Sequence, residues 1–254
     1  MKGFIKEHWK FLLFVLIGGA IGGYCTGLYL PGAYSEQMLQ QLQDRNITAE
    51  ALALSGMVQY GVLYGAVLAA IGVVLSKNVG LWRKFGFNAN AVKATAIIAV
   101  IAALLLFPGD QWVFGAFSSW VRDQYKTAPG LPKILSGLLT GGIVEEVMLR
   151  LFFMSLLVWI ISRLFCRDKK PIPAAVFVIA NILSAVMFAA GHLPATMAMT
   201  TLTPLILFRC FLLNGGIGLC FGFLYRKYGI GYAMLAHGGA HLISDLLMII
   251  FVRA

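Results

Sequence analysis

In 254 residues the chain carries 60% hydrophobic and only 12% charged residues, with a mean hydropathy of +0.85. Soluble globular chains run at about 45–50% apolar and about 25% charged, so this chain has too little polar surface to cover a water-facing domain. Twenty Lys and Arg against ten Asp and Glu give a net charge of +10, but the bases fall in short clusters between apolar runs. That placement points to lipid headgroups, and not nucleic acid, as their partner.

A hydrocarbon core about 30 Å thick needs roughly 20 apolar residues of helix. Candidate spans in chain order are about 11–30, 55–76, 92–107, 134–165, 173–192, 203–225 and 231–252. The first follows Lys2, Lys6 and Lys10, as a secretory leader would. Its apolar run continues to Leu30 and meets Pro31-Gly32 without a small-residue cleavage site, so it reads as an uncleaved span. The fourth run is too long for one simple crossing. Segment 108–133, with Trp112, Phe114, Phe117 and Trp120, is amphipathic enough to lie at the interface or to add an eighth span. The expected fold is all-α, a polytopic transmembrane helical bundle of seven or eight spans forming one integral-membrane domain over 1–254.

Charge sorts the loops. Lys2, Lys6 and Lys10 precede span one, while Lys77, Arg83, Lys84 and Lys93 follow span two. Arg163, Arg167, Lys169 and Lys170 close span four, and Arg226 and Lys227 close span six. Seven spans with a cytoplasmic N-terminus satisfy the positive-inside rule throughout, and an eighth would reverse the later loops. A bacterial plasma membrane is the expected location. Cys25, Cys166, Cys210 and Cys220 show no metal or disulfide spacing. Gly18, Gly19, Gly22 and Gly23, and later Gly218 and Gly222, mark faces where helices approach closely.

Seven of the ten acidic residues are assigned to loops or tails. Glu145, Glu146 and Asp245 fall inside apolar runs, as do His192, His237 and His241 or the span ends that hold them. An ionisable group at bilayer depth costs about 2.5–3.5 kcal/mol even on lenient scales, so each should face the bundle interior and find a partner. Glu146 and Arg150 are four apart and share a helix face, which suits an ion pair. Glu145 points about 100° away. His237, His241 and Asp245 form a second stripe, in which Asp245 could orient the His241 imidazole. His192 closes span five just before Leu193-Pro194, where the helix should end. Arg209, Asn214 and Asn181 read as polar packing contacts or as snorkelling at helix ends.

Glu145-Glu146-Val147-Met148-Leu149-Arg150 fits EExxxR, Phe188 to His192 fits FxxxH, and His237 opens a third motif, usually HxxxN or HxxxD. Over roughly residues 134–250 the chain resembles the CPBP family: CAAX prenyl proteases and bacteriocin-processing or immunity enzymes, also called Abi proteins. The resemblance implies a catalytic core over 134–250 and a metal-free intramembrane glutamate endopeptidase acting on a peptide or protein tail. Glu145, helped by His192, would activate water; His237 and the residue four later would stabilise the oxyanion; Glu146 and Arg150 would hold Glu145.

One position departs from the family pattern, since His241 stands where Asn or Asp is usual. Glu145, His192, His237 and His241 are thereby also a possible zinc set by residue type, although no HExxH motif is present. The span limits raise a further conflict. They place His192 near the outer end of span five and His237 nearer the inner end of span seven, more than roughly 10 Å apart along the normal. Either the loop after His192 should dip back, or the last helix should start later. Two other function classes fit the buried charges: a proton-coupled transporter, disfavoured because no internal repeat is visible, and a non-catalytic membrane scaffold or immunity protein.

Overall fold

The computed structural model describes residues 2–167 and 171–253. Lys169 and Lys170, and the side chain of Lys2, which belong to the loop-charge pattern, lie outside the described residues. Every regular element among those described is helical. Seven helices are long and apolar enough to cross a membrane: Gly3–Ala33, Ala49–Asn78, Ala89–Val113, Leu131–Phe165, Ala174–Met199, Pro204–Tyr228 and Ile230–Val252. They are called spans one to seven below. The chain is thus an integral-membrane helical bundle.

Local signals set where the helices begin. Thr48, Asn88 and Thr203 each accept a hydrogen bond from the backbone N–H three residues on, at Ala51, Ala91 and Ile206, ahead of spans two, three and six. Pro132 and Pro204 occupy first-turn positions, where a missing N–H costs nothing. The turn from span six to span seven is Gly229, at φ 101°, a left-handed value that favours glycine.

Segment 108–133 adds no eighth span among the described residues: its first residues complete span three and its last open span four. It forms two short helices, Asp110–Val113 and Ser119–Asp123. Phe114 and Val121 are buried against Ile206, while Trp112 and Phe117 are exposed. This is a two-faced cap, with one side on span six and aromatic rings on the other. Asp110 corrects the loop assignment made from sequence. It falls in the last turn of span three and is fully buried.

Span four is the hub, packed against spans one, two, five and seven. Small residues allow this. A Cβ at Gly22 would stand 2.8 Å from the Thr140 backbone nitrogen, and one at Gly142 would stand 2.7 Å from Gly238 Cα. Gly72 likewise packs on the Leu151 backbone, and Ser184 of span five donates to Leu149 O at 2.6 Å. The glycine faces read from sequence in span one are therefore packing faces. Asn181 and Asn214 are polar packing contacts, donating to Leu219 O and Cys210 O.

Candidate active site

Span four is wound widely around the two glutamates, with i→i+5 turns over Gly137–Glu145 and again over Val147–Met154. Such wide turns often accompany functional sites. They leave Glu145 and Glu146 pointing into different surroundings.

Glu146 is wholly buried, and Arg150 is 1% exposed. Arg150 Nη1 lies 3.1 Å from Glu146 Oε1, its Nη2 donates to Gly218 O at 3.0 Å, and its guanidinium sits 4.5 Å from the Phe188 ring centre. His237 completes the cluster, with Nδ1 2.9 Å from Glu146 Oε1. A carboxylate accepts, so this nitrogen donates and the other, Nε2, faces away. The brace therefore has three members. Phe221 stacks on the His237 ring at 4.5 Å and 22°, which fixes the ring plane.

Glu145 faces a cavity of about 410 Å³. Its Oε2 is 3.8 Å from His237 Nε2 and its Oε1 is 4.0 Å from His192 Nε2. Both gaps exceed direct hydrogen-bond reach. Each is of a length that one water, about 2.8 Å from either side, can bridge off the line of centres. His192 Nδ1 lies 2.8 Å from Phe188 O, so that nitrogen donates and Nε2 is left towards Glu145. His192 does not close span five as expected: it is the joint between helix Ala174–Gly191 and a further helix, Leu193–Met199, that continues the span.

His241 stacks on His237, ring centres 5.1 Å apart, and lines the same cavity. Its ring lies against two glycines of span four. A Cβ at Gly141 would come 2.9 Å from His241 Cδ2 and Nε2, and one at Gly137 would come 3.0 Å from His241 Cβ. Asp245, also buried, lines the cavity, but no hydrogen bond among the described residues joins it to His241. The expected orienting contact is absent from this arrangement. Among the described residues no three His, Cys, Asp or Glu side chains converge as a metal-binding group.

On the expected conflict of depth, the last helix starts no later than expected, and the segment after His192 is a helix, Leu193–Met199, whose Ala195, Thr196 and Met199 line the Glu145 cavity. His237 is seven residues into span seven, about 10 Å of rise, whereas His192 is 18 residues from Ala174, about 27 Å. Both nevertheless flank Glu145. The helix ends are staggered: Asn181 meets Leu219 and Arg226 stacks on Phe177 at 4.9 Å, so span five begins level with the turn between spans six and seven. Span four runs past that turn, since Ser155 meets the Tyr225 hydroxyl and the helix continues to Phe165.

One buried cluster was not read from sequence. Arg209 Nε donates to Asp110 Oδ1 at 2.6 Å, Arg209 Nη2 also bonds Asp110 Oδ2, and the Tyr125 hydroxyl bonds the same carboxylate. Burial, with the negative Asp110 beside it, pushes the Tyr125 phenol up. Tyr125 and Arg209 line the cavity at the cap. The signal was a lone arginine in an apolar span, which required a partner; Pro108-Gly109 before Asp110 disguised that partner as a loop residue. Thr26 with Ser136 and Thr140, 2.6 and 3.1 Å apart by their hydroxyl oxygens, adds a polar wall to the same cavity.

A membrane bundle that encloses a carboxylate between imidazoles, braced by a buried Glu–Arg–His cluster beside a polar cavity, has the parts of a water-activating site. Comparison with protein families matches residues 126–243 to the Rce1-like family, the type II CAAX prenyl endopeptidases. That stretch contains Glu145, Glu146, Arg150, His192, His237 and His241, and it is similar to this family's domain. No curated protein and no solved structure matches the chain.

Proposed function

We propose that the protein is an intramembrane endopeptidase that cleaves membrane-associated peptides or protein tails, with Glu145 as its general base. The observation that carries this is the position of the Glu145 carboxylate. It lies on a cavity wall between two imidazole nitrogens at 3.8 and 4.0 Å, inside a stretch similar to a protease family's domain.

In this reading one water lies between Glu145 and His192. Glu145 takes a proton from it as the water oxygen bonds to the scissile carbonyl carbon. The same proton passes to the amide nitrogen as the C–N bond breaks, leaving a carboxylic acid and an amine. His192 Nε2 accepts the water's other hydrogen and so aims the oxygen. His237 and His241 stabilise the developing oxyanion. For His237 to donate from Nε2, its one ring proton sits there and the proton shared between Nδ1 and Glu146 then rests on the carboxyl oxygen. His241 here does the work that Asn or Asp does in the usual motif, since a neutral imidazole can donate one hydrogen bond. The catalytic core spans about 134–250. In this reading the N-terminus is cytoplasmic, an orientation the loop charges support, and the membrane is a bacterial plasma membrane.

The test incubates purified protein with a peptide library, with and without chelator, beside Glu145→Gln. Cleavage is expected to survive chelator and to vanish in the variant. Cleavage lost to chelator would replace the metal-free mechanism with a metal-dependent one. Undiminished cleavage by Glu145→Gln would remove Glu145 from the chemistry. No cleavage by the wild type, with Glu145→Gln leaving cellular function intact, would favour the scaffold reading.

A further inference from the structure

A second cavity lies far from Glu145, at the basic end of the bundle. It is a shallow groove of about 460 Å³ between the start of span three and the end of span six, lined by Asn88, Asn90, Lys93, Ala94, Ile97, Lys227 and Tyr228. Its polar wall holds two lysines and two asparagines and no acidic residue. Among the described residues neither lysine is in an ion pair. Its apolar wall, Ala94 and Ile97, continues along span three into exposed Val100, Ile101 and Leu104.

The groove is held in shape from below. Tyr232 donates to Gly86 O at 2.6 Å and accepts from the Asn88 backbone N–H at 3.0 Å, which ties the approach to span three onto the first turn of span seven. Lys227 is held over the Tyr228 and Phe223 rings, its ammonium 5.2 and 5.4 Å from their centres. One cation is thus positioned before anything binds.

We infer that this groove binds the headgroup of an anionic phospholipid, with the phosphate between Lys93 and Lys227 and an acyl chain along span three. The pairing of charges explains the headgroup. A free phosphate has no use for the apolar track that leads out of the groove into the lipid-facing surface, and that track decides for a lipid. Each lysine near an anionic membrane surface contributes about fivefold in affinity by the usual cost of one such charge.

The experiment uses the full chain purified in detergent and native mass spectrometry, with phosphatidylglycerol and phosphatidylcholine of the same acyl chains. The wild type is expected to retain one phosphatidylglycerol in preference to phosphatidylcholine. Lys93→Gln/Lys227→Gln is expected to reduce that preference by roughly 30-fold, the product of two such contributions. Lys6→Gln/Lys10→Gln, which removes equal charge from exposed positions in the basic N-terminal segment, is expected to leave it unchanged. Equal retention of the two lipids by the wild type, or an unchanged preference in the Lys93/Lys227 variant, would overturn the proposal. So would equal loss in the two variants, which would make the effect one of net charge. Displacement of the lipid by millimolar inorganic phosphate would assign the groove to free phosphate. None of these readouts depends on proteolysis.

Discussion

Glu145 and Glu146 are chemically identical neighbours with opposite surroundings, and that contrast organises the site. Glu146 accepts from His237 and faces Arg150 with no exposure to solvent. Removing one member of such a pair leaves a buried charge without compensation, at a cost of roughly 3–5 kcal/mol. Arg150→Gln should therefore lower thermal stability in detergent markedly. Arg150→Lys, which keeps the charge but loses the guanidinium bond to Gly218 O, should fall between the two; stability equal to wild type in both variants would show that the brace is dispensable. Gly141 is a subtler position, since a methyl there meets the His241 ring at 2.9 Å. Gly141→Ala should leave insertion and folding near normal while turnover drops on the order of tenfold to a hundredfold, the scale of a misplacement of about 1 Å. Full activity would mean that the His241 ring position does not matter. The residue types and their spacing announced this cluster. Which ring touched which carboxylate did not follow from spacing, because His237 and Glu146 are 91 positions apart in the chain.

Span four is the element that turns a bundle into a site. Its glycines bring span seven close, Gly18 and Gly22 of span one bring that helix onto it, and its two wide-turn segments bracket Glu146. At Gly142 the neighbour is backbone, Gly238 Cα, which cannot rotate aside. Gly142→Ala should thus force spans four and seven apart and cost about 1–3 kcal/mol, read as a lower melting temperature. A melting temperature that does not move would mean the helix contact is looser than 2.7 Å implies. The cap over 108–133 belongs to this scale too. Its aromatic content suggested either an interfacial segment or a span, and its break into two short helices around a buried Phe114 excludes the span. Sequence periodicity carries no notice of the i→i+5 turns, which occur in spans two, three and six as well as in span four.

The whole molecule is seven spans whose ends are not level. Span four runs past the turn that joins six and seven, and His192 and His237 meet on either side of its Glu145. The loop charges carry a topological prediction at this scale. In a cysteine-free background, Gln43→Cys should react with an impermeant thiol reagent in intact spheroplasts, whereas Phe87→Cys, on a residue 88% exposed, should react only after permeabilisation. The reverse pattern would invert the orientation.

Hydropathy and loop charge, read along the chain, determined that this is a bundle of seven or so helices. The rarity of charge in apolar runs determined which residues belong together. Both follow from a local rule: a bilayer taxes each polar group wherever it falls in the chain. Only the tertiary structure decided that His237 joins the Glu146–Arg150 brace and that Asp110 is the partner of Arg209. Only it decided that Glu145 stands within a water's width of two imidazoles. These are distances between spans, and they depend on helix stagger and on glycine-mediated approach, which no single segment encodes.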